Sequence, residues 1–104
     1  MDDIRVHTTT LIVDLRLPLA DSLKERRKEL RGLLERLRND GYAVAQVGPP
    51  DLHQRVFLAI ADVSGQPARL ADRLDDAERI LFASDFEVAS LRRSENTWTD
   101  TSLR

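Results

Sequence analysis

The sequence predicts an α+β domain: one four-stranded antiparallel sheet with two helices on one of its faces. Three observations carry the prediction. Leu11, Val13, Leu15 and Leu17 alternate with Ile12, Asp14 and Arg16, the period of a strand with one buried face. Leu23, Leu30, Leu33, Leu34 and Leu37 recur at helical spacing. At about 100° per residue they fall within an arc of roughly 100°, the stripe a helix needs to lie on a sheet. Val56-Phe57-Leu58-Ala59-Ile60-Ala61 is apolar on both faces, which suits a central strand.

The elements follow in order. Residues 2–10 are polar and lead into the first strand, which Pro18 ends because proline cannot donate to the ladder. Ser22 and Glu25 form an S-x-x-E capping box at the start of helix one. Asn39-Asp40-Gly41 stops that helix, with Gly41 as its left-handed cap residue. Tyr42–Val47 is a short strand, Gly48-Pro49-Pro50-Asp51 a loop, and Gln54–Val63 the central strand, so these two strands form a hairpin. Pro67 is well placed as a first helical residue, and Leu70, Leu74, Ala77 and Leu81 recur at helical spacing, giving helix two over 67–83. Ser84-Asp85 breaks it, and Phe86–Arg92 is the last strand, with Phe86, Val88 and Ser90 on one face against Ala89 and Leu91 on the other. Residues 94–104 are polar and aperiodic, and are expected to be a loose tail with Trp98 as its one anchor. The order βαββαβ is that of the ferredoxin-like split βαβ fold. Two right-handed crossovers put both helices on one face and leave the other open.

A chain of 104 residues makes one domain, expected over 4–93. With no cysteine, disulfides, Cys-based zinc sites and thiol chemistry are excluded. The N-terminus carries neither the basic nor the apolar region of a secretory signal, and no apolar run approaches a membrane span. A soluble, cytoplasmic protein with no membrane partner is expected.

The net charge of −2 conceals an uneven distribution. Lys24 to Arg38 holds seven basic residues against three acidic, and Asp62 to Glu87 seven acidic against three basic. Such asymmetry marks either a charged partner surface or two solvated helix faces. Lys24, Arg27, Lys28, Arg31 and Arg38 form a basic stripe flanking the leucines, suited to a phosphate backbone. Arg26 points into the leucine arc, and is expected to snorkel to the rim of the sheet. The open face is expected to carry Ile12, Asp14, Arg16, Gln46, Arg55, Phe57 and Ala59. Only Phe57, helped by Tyr42, is available to stack on a base, too few for an RNA-recognition sheet. A half-apolar open face equally suits a homodimer, with Phe57, Ile12 and Tyr42 as interface residues.

Signs of catalysis are thin. His7 and His53 lie in a polar start and a loop, and Asp51-x-His53 is two ligands short of a metal site. No Ser-His-Asp order, glycine-rich phosphate loop or H-E-x-x-H occurs. No enzyme, cofactor, metal or small-molecule substrate is expected.

Leu17-Pro18 followed by Ser22-Leu23-Lys24-Glu25-Arg26-Arg27 resembles the YlxP-like family, small bacterial proteins of unknown function. Val44-Ala45-Gln46-Val47, Gln54-Arg55 and Ile60-Ala61-Asp62-Val63-Ser64 continue the resemblance to about Arg93. The resemblance implies a ferredoxin-like fold and, from the company its genes keep among those for translation initiation and ribosome maturation, an association with RNA or the ribosome. His53 stands where the family usually has Trp, and Gln46 where it usually has Glu. The resulting expectation is a non-enzymatic protein binding RNA or a ribosomal particle through Lys24, Arg27, Lys28, Arg31 and Arg38, with edge contacts from Arg16 and Arg55. The alternative is a homodimeric protein-interaction module that uses the open sheet face without nucleic acid.

Overall fold

The computed structural model describes residues 3–17, 23–49 and 55–100. Within them the chain runs β1 (Ile4–Arg16), α1 (Leu23–Asn39), β2 (Ala43–Val47), β3 (Arg55–Ser64), α2 (Pro67–Ala83) and β4 (Glu87–Asp100). The strands lie in the order β2-β3-β1-β4, and each neighbouring pair is antiparallel. This is the ferredoxin-like arrangement the element order predicts. Pro18, the Ser22 cap, His53, Gln54 and residues 101–104 lie outside the described residues.

One face of the sheet carries the core. Leu11, Val13 and Leu15 of β1 and Val56, Leu58 and Ile60 of β3 pack under Leu30, Leu33 and Leu37 of α1 and Leu70, Leu74 and Leu81 of α2. Burial of each such side chain contributes about 1.5–3 kcal/mol. The end of α1 is a Schellman turn. Tyr42 N–H donates to Leu37 O and Gly41 N–H to Arg38 O, and Gly41 has a φ of 95°, which glycine adopts without strain. Pro67 opens α2, and Ser84 closes it by donating its hydroxyl to Leu81 O at 2.6 Å.

Three expectations are corrected. Residues 94–100 are no loose tail: they extend β4 to Asp100, paired with β1 as far as Ile4. Neither face of this extension is covered by a helix, so selection leaves no apolar alternation by which to read it as a strand. Second, the β1–β4 pairing jumps from Asp14↔Ser90 to Leu15↔Val88, leaving Ala89 as a bulge. The extra residue turns both Val88 and Leu91 onto the core, where strict alternation would separate them. Third, β2 has the opposite facing from that expected. Val44 pairs with Ile60 and Gln46 with Leu58, on the helix side, so Ala43, Ala45 and Val47 occupy the open face.

Tyr42 follows the same parity and is no interface residue. It is 4% exposed in the core, its hydroxyl donates to Arg73 O, and the Arg73 guanidinium lies over its ring at 4.1 Å. A short strand with two valines an odd number of residues apart does not declare which of them faces inward. The helices above decide it.

Candidate nucleic-acid interface

Turning α1 at about 100° per residue sorts its side chains into three flanks. Leu30, Leu33 and Leu37 face the sheet. Lys28, Glu29, Gly32 and Arg36 border an open groove of about 640 Å³ between α1 and α2, with Leu33, Ile80 and Phe86 beneath and Arg79 opposite. Lys24, Arg27, Arg31 and Arg38 project on the remaining flank, within an arc of roughly 60°. Lys28 stands between that flank and the groove. All five basic residues of the stripe are exposed. From Lys24 to Arg38 they extend over about 21 Å at ~1.5 Å per residue.

Unlike Arg16, Arg36, Arg55, Arg73, Arg79 and Arg93, these five have no ion-pair partner among the described residues, a condition they share with the scattered Arg5, Arg69 and Arg92. Among the described residues, none of Lys24, Arg27, Lys28, Arg31 and Arg38 joins an ion pair or a side-chain hydrogen bond. The acidic segment, by contrast, is largely engaged within the fold. Asp62 accepts from Arg73 Nε at 2.7 Å, Glu78 from Arg93 Nε at 2.7 Å, and Asp75 from Arg93 Nη2 at 2.6 Å. Asp76 pairs with Arg79 across one turn of α2. The charge asymmetry of the sequence thus resolves into acids of which Asp62, Asp75 and Glu78 tie α2 to the sheet, and a stripe of five bases on α1 that ties nothing.

Arg26 departs from its expected place. Instead of reaching the rim it is buried, 7% exposed, between the sheet and the first turns of α1. A buried guanidinium requires partners; Arg26 has an interaction within the fold, while its buried Nε finds no hydrogen-bond acceptor among the described residues.

Arg16 and Arg55 lie on the opposite side of the sheet from the stripe. They pair with each other across β1 and β3, two residues along from the open-face pair Asp14 and Phe57. Arg55 grips buried Asp14 with two hydrogen bonds, Nε to Oδ1 at 3.1 Å and Nη2 to Oδ2 at 2.8 Å. These bonds hold the Arg55 guanidinium above its usual pKa, so it stays a cation committed to Asp14. Arg16 approaches the same carboxylate at 3.9 Å. The guanidinium of Arg55 also covers the Phe57 ring at 4.8 Å. A Cβ on Gly48 would come within 3.1 Å of that ring, so the loop backbone passes close to it. Phe57 is therefore half-buried under its own chain, and base stacking on it would have to displace Arg55.

The structure does not bring the sequence-predicted residues into one site. The five α1 bases share a surface, and Arg16, Arg55, Phe57 and Ile12 share another. Ile12, 41% exposed, is the apolar member of the second group most open to a partner. The inter-helix groove went unread. Its sequence signal was Gly32, a residue with no side chain in the middle of α1, beside which no atom stands within 4 Å of an added Cβ. Among the described residues, no three His, Cys, Asp or Glu side chains gather as metal ligands would. No described helix is long and apolar enough to cross a membrane.

Solved structures share the fold. The C-terminal domain of a cyclometallase that takes part in synthesis of the NPN cofactor of lactate racemase aligns with a TM-score of 0.51 at 12% identity, over 91% of this chain and 56% of that one. A structural-genomics protein named YJCS aligns with a TM-score of 0.49 at 14% identity, covering 84% of this chain and 96% of the other. An antibiotic biosynthesis monooxygenase homologue from Chloroflexus aurantiacus aligns with a TM-score of 0.46 at 14% identity, over 84% and 90%. At such identity the first likeness speaks for the fold alone. No match was found among curated proteins. One family model matches residues 8–93, from the middle of β1 to the middle of β4, and the chain accordingly belongs to the family described as protein of unknown function DUF503.

Proposed function

We propose that this is a non-enzymatic protein that associates with RNA or a ribosomal particle through the outer flank of α1. The observation that carries the reading is the row of five exposed, unpartnered cations in a protein whose other arginines are largely engaged internally. Internal ion pairs fix a fold. Unpartnered cations held on a rigid helix are pre-arranged for an external polyanion, and each phosphate they neutralise releases a counterion. Lys24, Arg27, Lys28 and Arg31 take phosphate contacts near the start of the helix, and Arg38 takes one at its far end. The sequence resemblance to YlxP-like proteins, with their translation-linked gene neighbourhoods, agrees with this reading. Arg16 and Arg55 fall away from it as contacts, since they lie across the sheet. Binding of this type is sequence-tolerant, because phosphates carry no base identity.

The test is charge reversal at Lys28 and Arg31, Lys28→Glu with Arg31→Glu, measured as RNA affinity against salt. Five phosphate contacts give a log–log slope of about −3.5 for single strands, and the double variant should lose about 1.4 or more of it. An unchanged slope in the variant, or binding by the wild type that does not respond to salt, overturns the proposal.

A further inference from the structure

The sheet face away from the helices carries an apolar surface that continues off the body of the domain. Ile4, Ile12, Val63 and Trp98 are 39%, 41%, 59% and 53% exposed. The ladder places all four on this one face. Ile12 stands opposite Ala59, Val63 opposite Thr8, and Trp98 opposite Val6, with Ile4 two residues further along β1. Ala59 and Ala61 of β3 and, beyond them, Ala45 and Ala43 of β2 share this face, and Thr8, Thr10, Ser94 and Asn96 fill it between Ile12 and the ribbon, so the surface is smooth and built of small side chains. Past His7, where β3 ends, β1 and β4 run on as a two-stranded ribbon from Ile4 to Val6 against Trp98 to Asp100. A two-stranded ribbon is marginal in water unless something packs on it.

We infer that this face and its ribbon are the contact surface for a second copy of the same chain, packed sheet to sheet about a twofold axis with the strands running in opposite directions. Each ribbon then lies over the body of its partner's sheet, and Trp98 of each copy is covered by the other. Area and the continuation of the face onto the ribbon favour this occupant. Strand spacing of ~4.8 Å and rise of ~3.3 Å give the face a plan area of roughly 670 Å². Side-chain relief brings this close to the ~800 Å² per partner of a standard interface. Charge does not oppose it, since Arg16 and Arg55 are already paired with Asp14 within each copy. Arg16, Arg55 and Arg92, against Asp14 and Glu87, lie in the half away from the ribbon, while the ribbon ends on Asp100. An antiparallel twofold lays one end over the other, as an isologous interface must. The basic flanks of α1 remain on the outside of such a dimer, so the inference stands or falls independently of RNA binding.

The chain has one tryptophan, so its fluorescence reports the ribbon directly. Sedimentation velocity and Trp98 emission are followed together from micromolar to near-millimolar protein. The expected result is a dimer whose emission shifts to the red as it dilutes to monomer. Val63→Asp, on an exposed central position, should weaken dimerisation about tenfold or more with an unchanged circular dichroism spectrum. Trp98→Asp, scored by sedimentation alone, should do the same. A wild type that stays monomeric overturns the inference, as does a dimer that Val63→Asp leaves intact and whose Trp98 emission remains that of an exposed indole.

Discussion

Arg73 is where α2, the end of β3 and the turn after α1 are fastened together, and its removal should be costly for a side chain so near the surface. Its Nε donates to Asp62 at 2.7 Å, its Nη1 donates to Asp40 O at 2.8 Å, and its guanidinium covers Tyr42 at 4.1 Å. The pair with Asp62 is 30% and 16% exposed at the two side chains, so water screens it in part and it contributes about 1 kcal/mol. A charged donor on a carbonyl adds about 1 kcal/mol, and the stacked ring about 0.5–1 kcal/mol. Arg73→Ala should therefore lose about 2–3 kcal/mol. At ~4–8 °C per kcal/mol for a domain near this size, that lowers Tm by roughly 8–24 °C. Arg73→Lys keeps the charge and loses the planar fork and the stacking, and should fall about midway. Urea unfolding measures both, with the m-value expected to stay constant. A double-mutant cycle with Asp62→Asn should return a coupling of about 0.5–1 kcal/mol for the ion pair itself. If Arg73→Ala and Arg73→Lys both fall within about 0.5 kcal/mol of wild type, the three contacts do not fasten the fold and the reasoning fails.

Two further outcomes follow from the same corner of the molecule. Burial raises the Tyr42 phenol above its ordinary value near 10, against the opposing pull of the Arg73 charge. A raised folded pKa means that the stabilisation is complete below about pH 10, the unfolded value, and is lost as pH rises through the folded value. The single tyrosine of the chain should titrate above pH 10 by ultraviolet absorbance, and Tyr42→Phe should remove its share of the alkaline loss in urea midpoint; titration at or below its ordinary value contradicts this. Gly41→Ala places a Cβ at a φ of 95°, 3.2 Å from Arg73 Nη2. It should cost about 1–2 kcal/mol, mostly backbone strain, and a stability equal to wild type would count against the left-handed cap.

How far the fold could be read from sequence depended on whether burial left a periodic mark. β1 was legible from Leu11 onward because one face meets the helices and the other does not. Helix bounds were legible from local chemistry: Pro67 at the start of α2, Ser84 after it, and Gly41 in the turn after α1. Where burial imposes no alternation the reading failed. The ribbon half of β4 has no helix above it, so Thr97, Trp98 and Thr99 looked like a tail although threonine and tryptophan favour strands. A single bulged residue, Ala89, was enough to put Val88 and Leu91 on the same face. Tyr42 was assigned to the wrong side because an aromatic next to a short strand fits either. At the candidate site, the basic stripe followed directly from helical geometry. Its isolation did not, because pairing depends on which acids the fold brings near. Asp62, Asp75 and Glu78 were captured by Arg73 and Arg93, residues distant from α1.

The most direct test of the account is sedimentation of the protein with ribosomal subunits across a salt series. It predicts that the wild type travels with a subunit at low salt and leaves it as salt rises, while the Lys28→Glu, Arg31→Glu protein stays at the top of the gradient throughout. Wild-type protein that never co-sediments, or a charge-reversed protein that sediments as the wild type does, would contradict the claim that the outer flank of α1 is an RNA-facing surface.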